Sequence, residues 1–192
     1  MTLPHAAQSE QGFTLVEMMM SVMLIGILGS MAIFEIGAAR PGMVADGAMR
    51  TVMGQLNLAR ETAVAQRRQI DLVFDADKHV LRLYKKDVPP ATGTTLMAET
   101  PFEGGVQFDM PDVLSEDTPD KFGKGSPIAF GSAQAISFNS DGLLVDGSGS
   151  TLNGTVFLML PHVDESLRAV TVLGSVGRVR GYRWNGKAWT RA

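Results

Sequence analysis

The sequence predicts an α+β fold: a long N-terminal helix, apolar enough in its first half to span a membrane, packed through its second half on an antiparallel β-sheet. Three observations carry that expectation. The run Phe13–Phe34 is almost wholly apolar. An amphipathic pattern of helical period follows it to about Gln69. From Ile70 the period changes to two, and short strand-like segments bounded by Gly, Asn and Asp recur to the C-terminus.

The chain of 192 residues has room for one membrane segment and one soluble domain. With 45% apolar and 19% charged residues it is a folding composition rather than a disordered one. It contains no cysteine, which excludes disulfides, thiolate zinc sites and cysteine nucleophiles. The net charge of -3 conceals an uneven distribution. Glu99–Asp146 holds nine acids against Lys121 and Lys124, whereas Ser166–Ala192 holds Arg168, Arg178, Arg180, Arg183, Lys187 and Arg191 with no acid.

Phe13–Phe34 is 22 residues, roughly 33 Å as a helix at about 1.5 Å per residue, which matches a hydrocarbon core of roughly 30 Å. A cleaved secretory signal would have a shorter apolar region behind a basic start, and Met1–Gly12 holds no Lys or Arg. Glu17 is the anomaly in this run. Ionised at membrane depth it costs on the order of 2.5–3.5 kcal/mol, so it calls for a cationic partner or a position at the interface. No Lys, Arg or His lies between His5 and Arg40 to supply one. Met18, Met19, Met20 and Met23 read as apolar filler rather than as metal ligands.

Pro41-Gly42 predicts a kink or short break. Beyond it Ala45, Met49, Val52, Leu56, Ala59 and Ala63 alternate steps of four and three, giving a helix with one core face. Ile70–Phe74 and Val80–Tyr84 read as a hairpin around Asp75-Ala76-Asp77-Lys78. Lys85–Gly131 is polar, with one short strand expected at Val106–Met110. Ala135–Phe138 runs into the turn Asn139-Ser140-Asp141-Gly142, and a Gly/Ser loop covers Asp146–Gly154. Thr155–Leu160, Arg168–Leu173 and Val176–Trp184 complete the strands, with Asn185-Gly186 as a hairpin signal.

Gly12-Phe13-Thr14-Leu15-Val16-Glu17, set directly before a full-length apolar run, resembles the processing site of type IV pilins and the related pseudopilins. The resemblance implies a prepilin peptidase cut after Gly12, N-methylation of Phe13, and a contact between Glu17 and the N-terminal amine of a neighbouring subunit. It divides the chain into a leader 1–12, a transmembrane helix 13–34, an amphipathic helix 35–69 and a β-rich domain 70–192. Leu58-Ala59-Arg60-Glu61-Thr62-Ala63, Ile136-Ser137-Phe138 with Asp141-Gly142, and Gly177-Arg178-Val179-Arg180 together resemble the GspH/FimT group of minor pseudopilins. A pilin-like fold, a single-pass inner-membrane location with a cytoplasmic N-terminus and a periplasmic domain, and partnership with other pilins are what that resemblance implies.

Catalytic and cofactor signatures are not found. No HExxH, GxSxG or EF-hand loop occurs, and His5, His79 and His162 are scattered. Gly181–Lys187 imitates a phosphate-binding loop, but Ala188 stands where Ser or Thr would hold magnesium. Glu116, Asp117 and Asp120 read as a solvated acidic loop rather than a calcium site. No cofactor or metal is expected, and the function expected is that of a structural subunit in a type II secretion pseudopilus or a type IV pilus. The alternative is a FimT-like DNA-binding subunit for transformation, with Arg178, Arg180, Arg183 and Lys187 as contacts to double-stranded DNA. Tyr182, Trp184 and Trp189 interleave aromatics with those charges. The same arginines admit two further readings: pairing with acids of the middle region or blunting an edge strand, and contacting a protein partner.

Overall fold

The computed structural model describes residues 12–87, 92–112, 114, 116–131 and 136–192. The leader other than Gly12, and Ala135 of the expected strand, lie outside them. Among the described residues there are one α-helix and ten strands, and the chain divides into two compact units, Met1–Arg40 and Pro41–Ala192.

Helix α1, Leu15–Gln66, carries Pro41 inside it. The break expected at Pro41-Gly42 is therefore absent. Proline cannot donate an N–H and crowds the carbonyl four residues before it, but the following turn is tied down at Gly42 and Asp46 by Arg168, and the helix continues through it. The helix ends in a Schellman arrangement, with Arg67 N–H donating to the Val64 carbonyl at 3.3 Å and Arg68 N–H to the Ala63 carbonyl at 3.0 Å. Arg67 takes a left-handed φ of 50°, a conformation that this position usually reserves for glycine.

In the Pro41–Ala192 unit the expected core face is the observed one. Ala45, Met49, Val52, Leu56, Ala59 and Ala63 are all fully buried. They face two antiparallel five-stranded sheets rather than one. The first has the order β3-β2-β1-β5-β6, from β1 (Ile70–Asp75), β2 (Val80–Lys86), β3 (Thr94–Pro101), β5 (Ile136–Phe138) and β6 (Leu144–Asp146). The second runs β10-β9-β8-β7-β4, from β4 (Ile128–Ala129), β7 (Gly154–Leu160), β8 (Val163–Leu173), β9 (Arg178–Trp184) and β10 (Trp189–Arg191). The period-two pattern identified β1, β2, β5, β7, β8 and β9. It missed β3, whose Thr94–Pro101 run has no fully buried residue and, with adjacent Met97 and Ala98 both half-buried against the core, shows no alternation. It also missed β4, β6 and β10, which are two or three residues long. Val106–Met110 is no strand. It contributes a single bridge between Gln107 and Met159 while Val106 and Phe108 plug the core.

Both sheets converge on the helix in one cluster, where Leu72, Leu81, Leu83 and Phe138 from the first meet Val156, Leu158, Val170 and Val172 from the second. Each buried aliphatic side chain stabilises the fold by about 1.5–3 kcal/mol. A smaller cluster, with Phe157, Leu167, Ala169 and Tyr182, lies on the other face of the second sheet and holds the 110–124 segment through Met110 and Leu114.

Three sequence fragments far apart in the chain meet at one joint. Arg60 on α1 donates Nε–H to the Gly142 carbonyl at 3.3 Å, Gly142 has φ 76°, and Gly177, at φ 60°, sits against both. A Cβ at Gly177 would overlap the Gly142 carbonyl oxygen and the Arg60 guanidinium. The glycine of Gly177-Arg178-Val179-Arg180 thus lets the β8–β9 turn close onto the helix. Gly177→Ala is expected to destabilise the domain by about 1–3 kcal/mol, read as a lower melting temperature, because it adds both φ strain and overlap.

Candidate functional site

Residues implicated at the N-terminus lie at and just before the start of α1. Gly12 and Phe13 are exposed and precede the helix. The Thr14 hydroxyl oxygen accepts the Glu17 N–H at 3.2 Å, and the Thr14 carbonyl accepts the first helical bond from Met18 N–H at 3.1 Å. Thr14 is therefore the N-cap and Glu17 the third helical residue, the S/T-x-x-E arrangement. This cap was readable in the sequence as Thr14-Leu15-Val16-Glu17 before an apolar run, a signal passed over in favour of the glutamate alone. The same position puts the carboxylate at the positive pole of the helix dipole.

The polar hydroxyls within the apolar run are turned inward on the backbone. Ser21 donates to the Glu17 carbonyl at 2.8 Å and Ser30 to the Ile27 carbonyl at 2.7 Å. The apolar side chains are not covered: Leu15, Val16, Met18, Met19, Met20, Val22, Met23 and the apolar residues on to Met31 are exposed on every side of the helix. Among the described residues no helix is long and apolar enough to cross a membrane, and the described side chains of this run stop at Met31.

A second set of charged residues organises the domain. Asp46 on α1 lies between Arg168 of β8 and Arg183 of β9, which are directly opposite in register. Its Oδ1 accepts Arg168 Nε–H at 2.6 Å and Arg183 Nε–H at 3.0 Å, while Oδ2 lies 2.9 Å from Arg183 Nη2. Arg168 is 6% exposed and gives three further N–H groups to the carbonyls of Glu165, Leu167 and Gly42. Burial pushes the Asp46 carboxyl up, but hydrogen bonds and charge from the two arginines overcome it and hold it below the usual carboxylate range.

The basic strand does not present its cations on one face. Residues of even number on β9 face the 110–124 segment, and those of odd number face α1. Arg180 donates Nη1–H to Asp120 Oδ1 at 2.8 Å, and Asp120 Oδ2 accepts the hydroxyls of Thr171 at 2.6 Å and Tyr182 at 2.9 Å. Burial raises the Asp120 carboxyl, and these donors together bring it below its ordinary value. Arg183 points to the opposite side, at Asp46. The proposed quartet of Arg178, Arg180, Arg183 and Lys187 is therefore split, with Arg178 and Lys187 exposed and the other two in ion pairs.

The interleaved aromatics are packing elements. Trp184 and Trp189 lie 5.1 Å apart between ring centroids, and Trp189 Nε1–H donates to the Glu116 carbonyl at 3.0 Å. The acidic loop is likewise folded rather than solvated. Asp117 accepts the N–H groups of Thr118 at 2.7 Å and Gly123 at 3.1 Å, and Asp120 is tied into the sheet. Among the described residues no group of three His, Cys, Asp or Glu side chains could hold a metal ion.

The prokaryotic N-terminal methylation motif matches residues 8–33, and the type II transport protein GspH family matches residues 48–177. Among solved structures, the minor pseudopilin EpsH from the type 2 secretion system of Vibrio cholerae is similar at 16% identity, TM-score 0.48, over 72% of this chain and 96% of that one. The type IV minor pilin FimU of Pseudomonas aeruginosa is similar at 15% identity, TM-score 0.45, over 75% of this chain and 89% of that one. No curated protein sequence matches.

Two outcomes are expected. Asp46 and Asp120 have lowered carboxyls in the folded chain, so the stability they contribute is present above an unfolded value of about 3.9 and is lost as pH falls through their depressed folded values. Acid unfolding below about pH 4 should be shallower by up to one proton in Asp46→Asn, as followed by circular dichroism. Arg180→Ala should lower the melting temperature while leaving the salt slope of any double-stranded DNA titration unchanged, because Arg180 is committed to Asp120 rather than to phosphate.

Proposed function

The chain belongs to the type II transport protein GspH family, and from that premise we propose that it is made as a precursor, cut between Gly12 and Phe13 by a prepilin peptidase and methylated on the Phe13 nitrogen. The pseudopilin-type subunit so produced takes its place among other pilins in a secretion pseudopilus or type IV pilus. Its role is structural. The apolar half of α1 anchors the subunit in the inner membrane and is then buried among the helices of its neighbours, with the Pro41–Ala192 domain outside.

One observation carries this reading: an exposed Gly12–Phe13 bond directly before a capped helix whose apolar side chains are uncovered on every side. An exposed bond ahead of the first hydrogen-bonded turn is open to a peptidase. A helix that is apolar all round requires lipid or other helices around it. Glu17, near the start of that helix, acquires a counter-ion when the Phe13 amine of an adjacent subunit is brought beside it, which offsets the cost of a carboxylate in an apolar setting.

Two substitutions separate processing from assembly. Gly12→Val should leave the precursor uncut, visible as slower migration in an immunoblot. Glu17→Ala should be inserted and cut normally but be depleted from sheared filaments by tenfold or more. Wild-type incorporation of Glu17→Ala would remove the assembly role of that carboxylate.

A further inference from the structure

The loop of residues 185–188 joins β9 to β10, with Trp184 and Trp189 paired across it. It begins with Asn185-Gly186. The backbone nitrogen of a glycine that follows asparagine can attack the side-chain amide, because no Cβ obstructs closure of the five-membered ring. The chain has four asparagines, Asn57, Asn139, Asn153 and Asn185, and the last two precede glycine. The fold treats those two differently.

Asn185 and Gly186 are exposed, Gly186 has φ 89°, and a Cβ there would meet nothing within 4 Å. Among the described residues nothing accepts the Gly186 N–H, so the attacking nitrogen is not engaged. The Asn185 side chain is folded back over the loop, where its Oδ1 accepts the Lys187 N–H at 2.9 Å and the Ala188 N–H at 2.8 Å. Attack at Cγ turns that oxygen into an oxyanion, and two N–H groups already point at it, as they do where enzymes stabilise a tetrahedral intermediate. Asn153 lacks this arrangement. Its Oδ1 accepts one N–H, from Gly174 at 2.8 Å, and Gly154 is buried at the start of β7, paired with Val172 and packed against the Phe130 ring. Asn139 Oδ1 takes the N–H groups of Asp141 and Leu143, both at 3.0 Å, but Ser140 follows it and brings a side chain beside the nitrogen. Asn57 lies within α1 and precedes Leu58.

We propose that this loop modifies itself: the Gly186 nitrogen closes on Asn185 Cγ, and position 185 ends as aspartate or isoaspartate. The Gly186 N–H gives up its proton, its nitrogen bonds to Cγ, and the Cγ–Nδ2 bond breaks, so that the amide group leaves with that proton as ammonia. Water then opens the cyclic imide at either carbonyl. Water is the only co-reactant, and nothing is oxidised or reduced. Opening at the main-chain carbonyl routes the backbone through Cγ and lengthens it by one methylene within the loop. The pairing of Trp184 with Trp189 is then disturbed, and with it the Trp189 Nε1–H bond to the Glu116 carbonyl at 3.0 Å. The modification therefore loosens the hold of β10 on the 110–124 segment and adds a negative charge. It needs no partner and does not depend on how the subunit is assembled.

The full-length chain in detergent, kept in mildly alkaline buffer, tests it, with conversion at each asparagine read by peptide mass spectrometry and the released ammonia measured alongside. Position 185 should convert in the folded chain at least as fast as in the same chain unfolded in guanidinium, because the folded loop supplies the two donors. Position 153 should convert only on unfolding. Gly186→Ala should slow conversion at 185 at least tenfold while the circular dichroism spectrum stays that of wild type. Slower conversion at 185 in the folded than in the unfolded chain, equal conversion of 185 and 153 in the folded chain, or wild-type conversion in Gly186→Ala would overturn the proposal. The comparison of the two positions uses the wild-type chain, so it decides the matter even where Gly186→Ala fails to fold. Converted chain, separated by its added charge, should melt at a lower temperature than unconverted chain, and an equal melting temperature would refute the loosening of β10.

Discussion

Two sheets share a single helix face, and that constraint governs most of the domain. Only small or slim side chains allow one helix to be approached from two directions, which is why Ala45, Ala48, Ala59 and Ala63 occupy the buried positions between Met49, Val52 and Leu56. Glycine extends the same rule into the sheets. Gly181 in the middle of β9 stands against Met49 and Met53, so that any Cβ there would press on their sulfur atoms. The flanks of the helix then carry the specific contacts: Asp46 and Met53 toward the second sheet, Arg60 at the turns of both sheets, Val44 toward the 102–108 segment beside the first.

The buried charges follow from this arrangement. Arg168 and Arg183 face each other across β8 and β9 and would repel, and Asp46 projecting from α1 cancels that repulsion at the point where helix and sheet touch. Such a group contributes less to raw stability than to uniqueness, since removing one partner leaves the others buried without compensation. Asp120 plays the corresponding part on the outer face of the same sheet, gathering Thr171, Arg180 and Tyr182 and so fastening an otherwise irregular segment. Much of the charge asymmetry visible along the sequence is consumed internally in this way.

The helix, its core face and the longer strands were legible because hydrophobic period is a local property. Six residues spaced by four and three identified the buried stripe, and each of them is buried. The second sheet was not legible as separate, because periodicity reports which face of a strand is buried and not which strand it joins. Edge strands such as β3 lack the alternation that burial imposes. The N-terminal motif could be picked out from one hexapeptide, Gly12–Glu17, because its residues are contiguous, and the methylation motif matches there. Pairing of the basic tail with acids of the middle region was among the sequence readings and Arg180 bears it out, but its specific partner Asp120, 60 residues away, and the commitment of Arg183 to Asp46, 137 residues away, could not be read, since only the fold brings them together.

The Thr14 cap would bear on the proposed cut between Gly12 and Phe13. The new terminal ammonium would stand one residue before the cap, at the end of the helix that already bears partial positive charge. A lone processed subunit would hold two like charges close together in surroundings of low dielectric. On the processing and assembly proposed above, docking beside another subunit's carboxylate would relieve that conflict, so cleavage would supply part of the driving force for polymerisation and withhold it from the uncut precursor.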